Sequence, residues 1–169
     1  MIKFFEYNWK VRDEWFEWCK QFDTEELLKE RKGGVGSILY TLFHITDVEY
    51  SWIRGIQGKE DVVFQFKDYN SVGKVKFLSD KLRNEIAEFL KTNFGILKEK
   101  VISVSWDEEK YTTDEILHHI IAHEIHHIGQ LSVWSRELDL PPISANFIGR
   151  KLKSVHSYRS TRSSWEHLF

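Results

Sequence analysis

Apolar and aromatic residues recur along this chain at steps of three and four, a pattern that predicts amphipathic helices joined by polar or glycine-rich connections. Over residues 3–22, Phe5, Trp9, Phe16 and Cys19 form one stripe. Trp15, Trp18 and Phe22 form a neighbouring stripe, with Lys10, Asp13, Glu14 and Glu17 outside. A polar link from Gln21 to Lys32 leads into Gly33-Gly34-Val35-Gly36, which reads as a loop. No phosphate-loop signature follows these glycines, so they carry no nucleotide role. A second helix is expected from Ser37 to Gly55. Its start, Ile38 to Ile45, is apolar nearly all round, as in a helix packed on several sides.

Residues 56–70 show no period and read as a charged connection. A third helix begins at Asn70 or Ser71, either of which suits a cap, and buries Val75, Leu78, Leu82, Ile86 and Phe89. Asn93-Phe94-Gly95 stops it. Val101 to Trp106 alternates apolar and polar residues, as a short strand or extended connector does. The last helix runs from Thr112 to Leu138. Thr112 with Glu115 makes a capping box, and Ile116, Ile120, His123, His127, Gln130 and Trp134 share one face. Pro141-Pro142 ends it. The tail from Ile143 is irregular and basic, with Arg150, Lys151, Lys153, Arg159 and Arg162 and no acid before Glu166. The expected fold is therefore all-α: a four-helix bundle in one domain over 1–169, with a short extended connector and an irregular C-terminal tail.

Composition narrows the function. The chain has 169 residues and a net charge of −2, so no excess of basic residues is available for a nucleic acid partner. The single cysteine, Cys19, excludes a disulfide framework and a thiolate cluster, and suits a reducing cytoplasm. No signal-peptide pattern opens the chain, and no run of about 18 apolar residues crosses a membrane. Seven Trp and twelve Phe supply large rings to fill gaps between helices.

The candidate chemistry lies in the histidines. His123 and His127 stand one turn apart on the inward face of the last helix, and His44 sits among core-type residues of the second. Imidazole nitrogen is a good ligand for divalent metals, and burying three unpaired rings would be costly, so His44, His123 and His127 are assigned as metal ligands. Zinc or nickel suits such a site best, then iron or manganese. Three histidines leave a position open, as catalytic zinc sites do. His119 is a reserve ligand, Gln130 either a residue behind the ligands or a substrate contact, and Asp47 a candidate to orient a ligating ring. His118 and His126 point to other faces and read as solvated. His123-Glu124-Ile125-His126-His127 also satisfies the H-E-x-x-H string of zinc peptidases, with Glu124 as general base. The longer peptidase form fails, because Gln130 and Val133 stand where glycine and histidine are required.

At these residues the chain resembles the DinB-like (DinB/YfiT-type) metalloenzyme family. The matching pieces are Tyr7-Asn8-Trp9, Leu42-Phe43-His44-Ile45 with Trp52, and His123 followed by His126-His127-Ile128-Gly129-Gln130-Leu131. Pro142 to Arg150 is similar to the tail of one Bacillus-type subgroup. The resemblance implies an up-down-down-up four-helix bundle, a homodimer, and a divalent metal on His44, His123 and His127. It also implies a transferase that conjugates a low-molecular-weight thiol, such as bacillithiol, to an electrophilic small molecule. Arg150 and Lys151 are then candidates to meet an anionic thiol. The competing readings are a non-catalytic metal-binding stress-response bundle and a metal-dependent hydrolase.

Overall fold

The structure, a computed structural model, describes residues 1–93 and 100–152. Phe94, Gly95, Lys153, Arg159, Arg162 and Glu166 therefore lie outside the described residues. Five helices are present among those described: α1 (Ile2–Cys19), α2 (Thr24–Leu28), α3 (Ile38–Ile56), α4 (Val72–Asn93) and α5 (Thr113–Glu137). A single 3₁₀ turn, Phe66–Tyr69, precedes α4, and two strands, β1 (Val101–Val104) and β2 (Asp107–Thr112), precede α5. The protein is thus mostly helical with a small sheet. The four long helices close a ring of contacts, with α3 on α5 and α4, and α1 on α5 and α4.

Each long helix follows from its pattern. Phe5, Trp9, Phe16 and Cys19 are fully buried, and Trp15 and Trp18 join them in the core. Ser37 caps α3 by accepting from the Tyr40 amide. Thr112 and Glu115 form the expected capping box on α5, which satisfies two donors that would otherwise have no partner. Ile116, Ile120, Leu131 and Trp134 lie buried along the same face as the histidines.

Two elements depart from the sequence expectation. The polar link after α1 contains α2, started by Asp23 accepting from the Glu26 amide and anchored by the fully buried Leu27. One apolar residue in a five-residue helix leaves no period to read. The extended connector is one strand of an antiparallel hairpin, with Ile102 opposite Tyr111 and an irregularity between Ser103 and Val104. Its second strand, Asp107–Thr112, is almost wholly polar, which hides it from an alternation test. The hairpin lies against the end of α3 at Gly55, where an added Cβ would come within 2.7 Å of Val104 Cγ1. Only glycine lets the Val104 side chain approach the α3 backbone this closely.

No helix among the described residues is long and apolar enough to cross a membrane. Beyond Pro142 the chain has no regular element as far as Leu152. It is pinned to α1 by Tyr7 Oη donating to the Ala145 carbonyl at 2.7 Å and by Lys10 Nζ donating to the Arg150 carbonyl at 2.8 Å.

Candidate metal centre

His44 projects from the middle of α3 towards α5, where His123 and His127 stand one turn apart. The Nε2 atoms converge. His44 Nε2 is 3.1 Å from His123 Nε2, and His127 Nε2 is 3.2 Å from the same atom. One nitrogen from each of the three lies within 4.8 Å of the others. Four-coordinate zinc with bonds of 2.0–2.1 Å would hold its ligand nitrogens roughly 3.3–3.4 Å apart. Both His123 spacings therefore lie close to those of a zinc site, and the third pair lies within 4.8 Å. As a purely protein contact it is poor, because three imidazoles cannot all supply hydrogens to a single meeting point.

The protonation state suits ligation. Burial pushes His123 down to about 3, with further lowering from the surrounding histidines, His127 first. Burial and the neighbouring His127 push His44 down to about 4. His127 is lowered by burial, offset in part by its bond to Gln130. All three rings are neutral near pH 7, and neutral imidazole is the form that binds metals.

The His127 tautomer is set from behind. Its Nδ1 lies 2.7 Å from Gln130 Oε1, while Gln130 Nε2 lies 2.9 Å from His126 Nε2. An amide oxygen only accepts and an amide nitrogen only donates, so His127 carries its hydrogen on Nδ1 and keeps the Nε2 lone pair for the site. His126 is exposed, as its place on the wheel implied, yet it holds the Gln130 amide in this orientation. The glycine loop closes over the same spot. Gly34, at φ +57°, would place a Cβ 2.6 Å from Gln130 Oε1 and 3.0 Å from Trp134 Cη2. Trp134 Nε1 donates to the Lys32 carbonyl at 3.1 Å and fixes that loop. The loop's part in the site was not legible in the sequence, where its glycines signalled only a turn.

A buried charge cluster ties the two ligand-bearing helices together. Arg12 is fully buried on α1, with Nε 2.7 Å from Glu124 Oε1 and Nη2 2.5 Å from Glu124 Oε2. The same Nη2 lies 2.8 Å from Glu49 Oε2 on α3, and Glu49 Oε1 accepts from Trp9 Nε1 at 2.6 Å. Burial alone would lower the guanidinium pKa, but Glu124 and Glu49 outweigh it and hold Arg12 above its ordinary value. Glu124, the general base of the peptidase string, therefore points away from the histidines into a bidentate ion pair. The string is legible in the sequence and this cluster is not, since nothing in a helical pattern separates a buried arginine from a solvated one.

The other expected residues fall as follows. Asp47 makes no hydrogen bond to His44; it sits near Asp61, and burial with that like charge pushes it up to about 6. His119 is exposed, with its ring 5.7 Å from that of His123 and outside the converging group. His118 is exposed and pairs with Asp114 of its own helix at 3.1 Å. Arg150 pairs with Glu14 at 2.8 Å, donates to the carbonyls of Ser144 and Asn146, and lies over the Tyr7 ring. Arg150 and Lys151 line an open depression with Lys10, Glu14 and Asn146 that includes none of the three histidines.

Comparison with known proteins places the sequence in a family. The family model described as DinB family matches residues 1–154. A Bacillus subtilis (strain 168) protein described as "Uncharacterized protein YizA" is similar to the chain at 66% identity over 159 residues. The match covers 94% of this chain and 100% of that protein.

Proposed function

The chain belongs to the DinB family, and on that premise we propose that it is a divalent-metal-dependent enzyme. His44, His123 and His127 hold the ion, and the reaction conjugates a low-molecular-weight thiol to an electrophilic small molecule. The observation that carries the metal assignment is the convergence of three neutral imidazoles, with His123 Nε2 3.1 Å and 3.2 Å from the Nε2 atoms of His44 and His127 and the group within 4.8 Å. Among the described residues no fourth protein ligand joins them, which leaves a position for substrate. A metal held by His44, His123 and His127 would supply Lewis acidity, the chemistry that lowers the pKa of a thiol towards neutral pH.

The chain's own residues prepare the site. Gln130 fixes the tautomer of His127, Gly34 leaves room for that amide, and Arg12 braces α3 against α5. The chain's single cysteine does not replace the cosubstrate thiol. Cys19 is fully buried on α1, and burial pushes it up to about 12. A thiol must therefore come with a cosubstrate. The ring of helix contacts supports an up-down-down-up four-helix bundle, and the same reading includes a homodimer in a reducing cytoplasm.

The test is a thiol panel, including bacillithiol, against a reporter electrophile such as monochlorobimane, with wild type and His127→Ala. Conjugation above the uncatalysed rate that disappears in His127→Ala supports the proposal. Conjugation at an unchanged rate in His127→Ala refutes it.

A further inference from the structure

Beside the histidines, on the side of the hairpin, lies a second cavity of about 260 Å³ lined by Trp52, Asp107, Tyr111, Glu115, Ile116 and His119. Three of these six residues carry rings. The Trp52 indole is met edge to face by Trp106 at 5.5 Å, Tyr111 at 5.8 Å and His119 at 5.6 Å between centroids. Three elements build it: α3 gives Trp52, the hairpin gives Asp107 and Tyr111, and the first turns of α5 give Glu115, Ile116 and His119. The volume is below the roughly 300–1,000 Å³ of pockets that enclose a drug-sized molecule, so it suits one end of a ligand.

The charge of the lining is one-sided. Asp107 and Glu115 line the cavity, and no lysine or arginine among the described residues does. Each carboxylate is held in its ionised form by neighbouring donors. Asp107 accepts from the Glu109 amide at 3.0 Å and from Tyr111 Oη at 2.8 Å, which lowers its pKa. Glu115 accepts from the Thr112 amide and hydroxyl through Oε2 alone, with the same effect, and so keeps its other oxygen free of the cap. Aromatic faces attract cations, and a cavity combining them with fixed negative charge selects an organic cation over a neutral or anionic group.

We propose that this aromatic, acidic cavity is a subsite for the ammonium-bearing end of a small-molecule ligand whose remainder extends past His119 to the three histidines. The inner wall sets the reach, since the His119 ring is 5.7 Å from that of His123. Occupancy of the subsite does not depend on a metal; only the identification of its ligand as a substrate rests on the function proposed above.

The experiment uses metal-free protein, choline as the probe and 3,3-dimethylbutan-1-ol as its neutral isostere, followed through the Trp52 indole N–H in proton–nitrogen NMR. The expected result is saturable choline binding at least tenfold tighter than that of the isostere, weakening as salt is raised. Asp107→Asn with Glu115→Gln removes the charge and leaves an amide oxygen to accept from the Glu109 amide and another to accept from Thr112, while at position 107 the amide nitrogen donates to the Tyr111 hydroxyl in place of the oxygen that accepted from it. It is expected to weaken choline at least tenfold and to leave the isostere unchanged. Equal binding of choline and isostere, no saturable shift at Trp52, or undiminished choline binding in the double variant would each overturn the inference. Loss of metal in His127→Ala with choline binding retained separates the subsite from the metal reading.

Discussion

Replacing Gly34 by alanine tests whether the glycine loop governs the metal site, although the residue touches no ligand directly. Two costs follow from the geometry. Gly34 sits at φ +57°, where a side chain costs roughly 1–2 kcal/mol in backbone strain. The new Cβ would also lie 2.6 Å from Gln130 Oε1 and 3.0 Å from Trp134 Cη2. Trp134 is buried and anchored to the Lys32 carbonyl, so the flexible Gln130 amide must give way. Its bond to His127 Nδ1 is then lost. Removing a hydrogen bond that orients a histidine ligand typically costs 10–100-fold in metal affinity, which is about 1.4–2.7 kcal/mol. Competition with a chelator of known affinity measures the metal constant, and urea unfolding measures stability. The expected outcome is affinity lower by 10–100-fold with stability lower by about 1–2 kcal/mol. Gln130→Ala should match the loss of affinity, and the double variant should be no worse than Gln130→Ala, because both act on one hydrogen bond. Full affinity in Gly34→Ala, or losses that add in the double variant, would refute the reasoning.

Two further outcomes are expected. Glu124→Ala should destabilise the fold by about 3 kcal/mol in urea unfolding, at the low end for breaking a buried ion pair because Glu49 remains on Arg12. Unchanged stability with activity abolished would instead return Glu124 to the role of general base. Asp47→Asn should raise stability at pH 8 and leave it unchanged near pH 3. The folded-state pKa of Asp47 is raised to about 6 from its ordinary 3.8, so the native state binds the proton more tightly and the penalty on the charged form grows as pH rises between these values. Asp47 is only half-buried, and solvent screening reduces the gain to on the order of 1 kcal/mol in thermal or urea unfolding. A destabilising Asp47→Asn at pH 8 would show that its charge is used by a partner.

The long helices were legible because each carries an apolar stripe that tertiary packing then uses. Phe5, Trp9, Leu82, Ile86, Ile116 and Ile120 are buried as their spacing required. The three histidines were legible for a related reason. His123 and His127 repeat at one helical turn on an inward face, and His44 interrupts an apolar run that has no other use for a polar ring. What escaped depends on partners distant in the chain. Arg12 reads as one more surface charge until Glu49 and Glu124 arrive from 37 and 112 residues away. Asp107–Thr112 has too few apolar residues to show alternation, and its strand character comes from pairing with Val101–Val104. Gly34 reads as a turn, and only the fold reveals that its missing Cβ makes room for Gln130.

The measurement that bears most directly on the central claim is the metal content of protein purified without chelator or nickel resin, wild type beside His44→Ala. His44 is the one ligand that α3 contributes, so its loss separates a site shared between two helices from a pair on α5 alone. The account predicts near-stoichiometric divalent metal in the wild type and little in the variant. Protein that carries no metal, and neither binds nor is stabilised by added zinc or nickel, would contradict it.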